Sequence, residues 1–255
     1  MKMIFGIQQR LWAMLLLVAV AIAAQQGCQA PWMLEADANS AASTSFTPEE
    51  CPPDAAAISA ESPLTIEDVV NLINRLPKPL SLHCFLSKLT RPLGLAATNA
   101  RLSAQPAVDD RNPRIFILNG SLVLSVVPIG RDRNFLELSL IKGSESSVKA
   151  EILFPITGPI SLSLPYERVR YLNGTTCSTC HSNEIKDYSI SFTDAFISRA
   201  YKPKAESRIS LDFLYREFQL CNARTQPERC SMLKGLFGYG PVRNQEFPTT
   251  LPTFF

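Results

Sequence analysis

Three side chains that can bind or attack a cofactor lie within five residues of one another, in the segment Cys177-Ser178-Thr179-Cys180-His181. Two thiols at this spacing can form thioether bonds to one cofactor, pair as a redox-active disulfide, or supply half of a zinc site. The imidazole directly after the second thiol can act as a ligand to a metal ion, or to the metal of a cofactor, that the thiols bind. The segment therefore indicates covalent cofactor attachment, thiol redox exchange or metal binding.

This Cys-x-x-Cys-His pattern resembles the haem-attachment site of c-type cytochromes. The resemblance implies one covalently bound haem c, with Cys177 and Cys180 forming thioether bonds to the haem and His181 as the proximal iron ligand. The resemblance covers five residues and does not imply a cytochrome fold. Small soluble cytochromes place the motif near the start of an all-helical domain, whereas here it follows a region of predicted strands. A redox disulfide and a zinc site remain as alternatives, and zinc would need His83 and distant cysteines as further ligands.

Two residues are candidates for the distal iron ligand of such a haem. Met232 lies C-terminal to the motif, as in small soluble cytochromes, and thioether sulfur would raise the reduction potential. His83 lies upstream of the motif, and a second imidazole would lower the potential. Each also has an ordinary interpretation, Met232 as part of a helix core and His83 as a helix-end residue. A third alternative leaves the distal position open and uses His83 as an acid–base group.

The first 28 residues have the pattern of a signal peptide, with Lys2 and Arg10 before an apolar run over 11–24. That run is too short to cross a bilayer comfortably, although an uncleaved anchor remains an alternative. Gly27-Cys28 resembles a degraded lipoprotein cleavage site, which makes Cys28 a candidate for lipidation. A lipid on Cys28 would tether an exported protein to a membrane surface.

The remaining cysteines predict two disulfides. Of the seven cysteines in the chain, four are left when Cys28 and the two motif cysteines are set aside. An even number suits an oxidising compartment. Cys221 and Cys230 flank a short connection and are the favoured pair, and Cys51 with Cys84 follows by elimination.

Residue patterns predict an α+β fold, in which an antiparallel β meander or small sandwich is flanked by N-terminal and C-terminal helices. The haem motif would lie at the junction between the β region and the later helices. Residues 29–63 indicate a flexible acidic spacer rich in Ala, Ser and Pro, 64–240 a single globular domain, and 241–255 an irregular tail.

Local signals divide the predicted domain into three parts. Helices are predicted within 65–90, starting at a cap formed by Thr65 and Asp68, and again after the motif within 177–238. Between them, apolar alternation over 114–172 predicts strands, with a hairpin at Asn119-Gly120. The predicted strands cover 115–118, 122–126, 136–140, 148–154, 160–164 and 169–171. The predicted later helices cover 192–199, 211–221 after an N-cap at Ser210, and a segment opened by Pro227 that closes before Gly235 or Gly238.

Charge and motif content narrow the expected function. The formal net charge of the whole chain is +2. Because no Lys or Arg occurs between Leu11 and Asn74, nearly all basic residues belong to the folded part, which is therefore mildly basic. Such a surface would suit an acidic redox partner or an anionic surface. No stretch interleaves basic and aromatic residues as a nucleic-acid interface would. Phosphate-binding loops and hydrolase signatures are also missing from the sequence.

We therefore expect an exported monohaem protein that transfers single electrons, either periplasmic or tethered to a membrane. One alternative is a haem-dependent enzyme or sensor with an open sixth position on the iron. The other is a haem-free binding or structural module stapled by disulfides, including one between Cys177 and Cys180.

Overall fold

An eight-stranded sheet forms the centre of the protein in a computed structural model that describes residues 51–52 and 58–254. Five α-helices accompany the sheet within these residues, which confirms the predicted α+β class. The predicted signal peptide, Cys28 and most of the predicted spacer lie outside the described residues. No helix among 51–52 and 58–254 is long and apolar enough to cross a membrane.

The sheet is mostly an antiparallel meander. Its strands are β1 (Leu93–Thr98), β2 (Arg114–Asn119), β3 (Leu122–Val126), β4 (Phe135–Lys142), β5 (Ser146–Leu153), β8 (Ile185–Lys186), β9 (Phe196–Arg199) and β10 (Val242–Asn244). The strand order is β10-β1-β2-β3-β4-β5-β9-β8, and all pairs are antiparallel except β10 with β1. A separate two-stranded ribbon pairs β6 (Arg170–Tyr171) with β7 (Gly174–Thr175).

The hairpin predicted at Asn119-Gly120 joins β2 to β3. Asn119 pairs with Leu122, so Gly120 and Ser121 form the turn. Gly120 has a φ of 60°, in the left-handed region that glycine adopts without steric cost. This conformation is what a two-residue hairpin turn requires.

The helices are α1 (Ile66–Arg75), α2 (Leu82–Ser87), α3 (Leu164–Arg168), α4 (Leu211–Gln219) and α5 (Pro227–Phe237). Thr65 and Asp68 form the predicted capping box of α1, in which each side chain accepts a hydrogen bond from the other residue's backbone. Ser210 caps α4 by accepting from the Phe213 amide at 3.2 Å. Pro227 occupies the first turn of α5, where the missing amide hydrogen is not needed.

The helices cover one face of the sheet and close an apolar core there. Residues from every central strand and from α1, α2 and α5 belong to one buried cluster, including Ile73, Phe85, Leu124, Ile152 and Leu233. Two disulfides brace this side, one joining Cys51 to Cys84 and the other joining Cys221 to Cys230.

Two predicted elements after the meander are wrong. The predicted strand at 160–164 is a turn that leads into α3, because the Ser161 hydroxyl accepts from the Leu164 amide at 3.2 Å and Pro165 favours the first helical turn. The predicted helix at 192–199 is absent, because 192–195 form a turn and an irregular segment and the rest is the strand β9, which pairs with β5 through Val148 and Ile197. This pairing covers an edge of β5 that would otherwise expose unpaired backbone groups.

The two ends of the predicted domain also extend further than expected. Glu61, inside the predicted spacer, forms a parallel bridge with Leu89, so the end of that segment packs on the domain. The predicted irregular tail contains β10 and buries Phe247 and Leu251 against the sheet. Burial of these two apolar side chains offsets the entropy lost in ordering the tail.

Candidate functional site: a cavity against one face of the sheet

The face of the sheet opposite the helices borders a cavity of about 380 Å³. Strand alternation decides which side chains reach it, because neighbours along a strand point to opposite faces. In β2, Ile115 belongs to the helix-covered core whereas Arg114 lines the cavity, and in β5 Val148 belongs to the core whereas Lys149 and Glu151 line the cavity. The volume lies in the range of sites that hold small molecules and cofactors, roughly 300–1,000 Å³.

Segments that are distant in sequence complete the walls. They are a loop at 100–104, the Cys-x-x-Cys-His motif, a segment at 200–207 and the C-terminal tail. The tail is held by Lys202, whose backbone donates to the Pro252 carbonyl at 2.9 Å and accepts from the Phe254 amide at 3.1 Å. The predicted irregular tail thus becomes part of the site.

The motif forms a tight turn between β7 and β8. A single 3-10 turn covers Thr176–Thr179, and the Thr175 hydroxyl caps it by accepting from the Cys177 amide at 3.2 Å. The Glu184 carboxylate in turn accepts from the Thr175 amide at 2.9 Å. Cys177, Cys180 and His181 all line the cavity as a result. The motif lies on a loop, and no α-helix follows it directly, which corrects the expected β-to-helix junction.

His181 has the hydrogen bond that a metal-binding imidazole needs on its far side. Its Nδ1 lies 2.6 Å from the Arg199 carbonyl oxygen, which fixes Nδ1 as the donor. Burial lowers the pKa of His181 to about 3, assisted by the positive charge of Lys149, so the ring is neutral at pH 7. The Nε2 atom then carries a free lone pair, and a carbonyl on the other ring nitrogen is the usual support of a metal ligand.

Aromatic rings pack around this imidazole. The ring centroid of Tyr201 lies 5.5 Å from that of His181, and the ring of Phe254 lies at 6.4 Å. These contacts pack the imidazole against two aromatic rings, while the hydrogen bond to the Arg199 carbonyl sets its tautomer.

The two motif cysteines differ in state. Cys177 is a free thiol. Burial raises the pKa of Cys177 to about 11 despite the nearby charge of Lys149, so its thiol is protonated at neutral pH. The sulfur of Cys180 is engaged in a disulfide, and its partner is not Cys177. The alternative of a Cys177–Cys180 disulfide is therefore wrong for this structure.

The cavity floor carries charges that sequence patterns alone did not single out. Lys149 donates to the hydroxyls of Ser139 at 3.1 Å and Ser147 at 2.6 Å, and burial lowers its pKa to about 8. Burial, followed by the negative charge of Glu137, raises the pKa of Glu151 to about 7. In the sequence these residues occupy alternate positions of a strand, a pattern that equally describes an ordinary solvent-facing side. Only the walls contributed by the motif and tail show that this side is enclosed.

Neither candidate distal ligand lies in the cavity. Met232 is buried in the helix-covered core. His83 belongs to α2, its ring nitrogen 3.4 Å from the sulfur of Cys84. The ligand atoms of His83, Cys51 and Cys84 lie within 4.8 Å of one another, but a disulfide already joins the two sulfurs. The structure does not bring His83 to the motif, which removes it as a zinc ligand beside Cys177.

A c-type haem would need two thiols and an imidazole at one site, and here the Cys177 thiol is free whereas the Cys180 sulfur is held in a disulfide. Both motif cysteines and a neutral imidazole, supported through its Nδ1, border the same space. Basic side chains that match the carboxylates of a haem also line the cavity, among them Arg101 and Lys204.

Comparisons of the whole chain with protein-family models, with curated proteins and with solved structures gave no match. The arrangement of the cavity is therefore the basis for assigning a function.

Proposed function

We propose that this protein is an exported c-type haem protein, in which Cys177 and Cys180 attach one haem c covalently and His181 ligates its iron. The observation that carries the proposal is the hydrogen bond between His181 Nδ1 and the Arg199 carbonyl, in a motif that lines a cofactor-sized cavity. Haem, when bound, supplies one-electron redox chemistry. The protein would orient it and control the access of water and charge.

Attachment through Cys180 requires that its sulfur first be released from the disulfide that it forms here. The thiolate or thiol, rather than a disulfide sulfur, is the group that can add to a haem vinyl group. Cys177 needs no such step, since its thiol is free. We therefore expect haem attachment to depend on a reductant that acts on Cys180.

The positions of Met232 and His83 favour the alternative in which the sixth position of the iron stays open. Both residues lie on the helix-covered side, and the sheet separates them from the motif. An open position suits a haem enzyme or sensor that binds a small molecule in the cavity. We propose this role ahead of simple electron transfer.

Electron transfer remains the second candidate function, supported by apolar residues beside the motif in sequence. Leu172, Ile185 and Tyr188 expose 81, 64 and 83 % of their area, far more than large apolar side chains usually do. Exposed apolar and aromatic residues are typical of surfaces that contact a protein partner. Under this interpretation a redox partner docks here, and an acidic partner would match the mildly basic charge of the folded part.

Export is supported by the two disulfides among the described residues, since such bonds persist in oxidising compartments. Localisation in a periplasm, or at a membrane through a lipid on Cys28, remains a proposal from the sequence pattern.

The test is to mature the full chain with a cytochrome c assembly system and record absorption spectra of the oxidised and reduced protein. We expect a haem spectrum with five-coordinate iron that changes when a small ligand such as imidazole is added. The same spectrum should appear in Met232→Leu and His83→Gln, and Ser178→Ala serves as the control within the motif. A six-coordinate low-spin spectrum that is lost in Met232→Leu or His83→Gln would contradict the open position. No haem spectrum at all would contradict the proposed function.

A further inference from the structure

We propose that Glu151, opposite Glu137 on the neighbouring strand, is a proton-exchange site of the cavity that binds one solvent proton when the haem iron accepts one electron. This inference rests on the proposed function. The electron comes from a redox partner or an added reductant and reduces the ferric iron to the ferrous state. The proton comes from solvent and converts the Glu151 carboxylate to the carboxylic acid, so the charge of the cavity is unchanged by the two events.

The geometry sets two acidic side chains directly against each other. Glu137 in β4 and Glu151 in β5 are register partners, and both line the cavity. Partners in an antiparallel pair have their Cβ atoms roughly 4.5–5.5 Å apart, and like charges placed so are destabilising. Glu151 is 9 % exposed, so water screens the repulsion poorly. One proton placed on this pair relieves the repulsion.

The cations nearby are arranged to favour protonation of Glu151 rather than Glu137. Arg114 from β2 forms an ion pair with Glu137. Arg168 from α3 is the cation that pairs with Glu151, at 3.3 Å from its Nε to Oε1, a longer contact. On β9, the other strand beside β5, Arg199 pairs with Glu145 instead.

Two further charged residues, Asp132 and Lys149, line the same cavity. Asp132, just before β4, adds a second negative charge to that of Glu137. Lys149 lies on β5 itself and donates to two serine hydroxyls. Glu151 is thus the member of the pair with the weaker electrostatic support for its charged form.

The pKa of Glu151 supports this arrangement. Burial first, and then the charge of Glu137, raise it to about 7, so the carboxyl is close to half-protonated at neutral pH. An electron added in the same cavity is one more negative charge, and a like charge disfavours the ionised carboxyl. Reduction must therefore raise the pKa further and draw in a proton. By reciprocity, protonation of Glu151 must favour reduction.

A redox titration of the haem-loaded protein across pH 5–9 tests the coupling. We expect the reduction potential to fall as pH rises above about 7, by no more than about 59 mV for each tenfold fall in proton concentration in a one-electron couple. Glu151→Gln should abolish this dependence. Glu228→Gln, which removes an exposed glutamate paired with Arg133, should leave it intact. Glu137→Gln should shift the onset to lower pH, because it removes the opposing negative charge.

A titration without haem tests the proton site by itself. In Cys177→Ser/Cys180→Ser, carbon NMR of labelled glutamate carboxyls should show one group with a midpoint near pH 7, absent in Glu151→Gln. A Glu151 midpoint near the ordinary value of 4.5 would overturn the inference. A potential that is independent of pH in a haem-loaded protein would overturn the coupling alone. Failure to attach haem would overturn the coupling together with the proposed function.

Discussion

The two faces of the sheet are built from the same strands but differ in how they are covered and in the charged side chains that they carry. The helix-covered face is apolar, closed by α1, α2 and α5 and braced by two disulfides. The cavity face carries Arg114, Glu137, Lys149 and Glu151 beside the motif. Because alternate residues of each strand point to opposite faces, each strand contributes side chains to both the apolar core and the cavity. The fold thus places its main apolar core on one face and its candidate functional groups on the other.

The titratable groups of the cavity face are buried, and this burial shifts their pKa values. Burial raises the pKa of Glu151 to about 7 and lowers the pKa of His181 to about 3, so both groups are held away from their ordinary ionisation. Neither shift would arise on an open surface. Keeping these groups buried costs free energy that apolar packing elsewhere in the fold must offset.

The largest expected effect comes from a ring in the helix-covered core. Phe85 is fully buried and packs on Phe154 at 5.8 Å. Phe85→Ala should lower the free energy of unfolding by about 3–5 kcal/mol, because it leaves a void that the core cannot fill. The matched change on the other face is Phe135→Ala, where the ring is half-buried and already borders the cavity. That change should cost less than half as much, as measured by urea denaturation. Equal losses would contradict the distinction between the faces.

The disulfides of the helix-covered side should come next. Cys51 and Cys84 are separated by 33 positions, and Cys221 and Cys230 by 9. From the entropy of the unfolded chain, Cys51→Ser/Cys84→Ser should cost about 3–4 kcal/mol and Cys221→Ser/Cys230→Ser about 2–3 kcal/mol. Thermal unfolding of both double variants measures the difference. A larger loss from the shorter loop would show that native-state contacts, rather than chain entropy, set the contribution.

On the cavity face, removal of a charge should stabilise the fold. The native pKa of Glu151 is about 7 against 4.5 for the ordinary group, so between these values the native state binds more protons than the unfolded state. Stability therefore falls as pH rises through this window, and the penalty is complete above pH 7. Glu151→Gln should gain roughly 2 kcal/mol at pH 8 and little at pH 4.5. Denaturation curves at the two pH values provide the check, and a pH-independent change would contradict the assigned pKa.

The smallest effect should come from Ser139→Ala. This substitution removes one acceptor of Lys149 and leaves the shorter hydrogen bond to Ser147 in place. We expect a loss of about 0.5–1 kcal/mol, the net value of one such hydrogen bond. Ser147→Ala, which removes the closer acceptor, should cost more in the same denaturation experiment. The reverse order would contradict the hydrogen bonding described for Lys149.

Caps and turns that depend on neighbouring residues are predicted well from the sequence. The capping box of Thr65 and Asp68, the N-cap at Ser210 and the turn at Gly120 each depend on a few adjacent side chains. Features that depend on distant partners were missed. β9 was predicted as a helix, and β10 was not predicted, because each is defined by the strand beside it.

The residues of the candidate site also fall into those recognisable from neighbouring residues and those whose roles depend on distant partners. Cys177, Cys180 and His181 are recognisable because their chemistry lies within five residues. The roles of Glu151 and Lys149 depend on the enclosure of one sheet face by the tail and by the segment at 200–207. Met232 was a reasonable distal ligand from its place in the chain, but only the fold shows that α5 packs on the other face.

Covalent attachment of haem at Cys177 and Cys180 is tested most directly by intact-mass spectrometry of the denatured protein after maturation with a cytochrome c assembly system. We expect a mass increase of one haem in the wild type and in Cys221→Ser/Cys230→Ser, whose cysteines lie on the helix-covered side. We expect no increase in Cys177→Ser/Cys180→Ser. A wild-type chain without added haem, while a control cytochrome matures in the same cells, would contradict the assignment of chemistry to the cavity face.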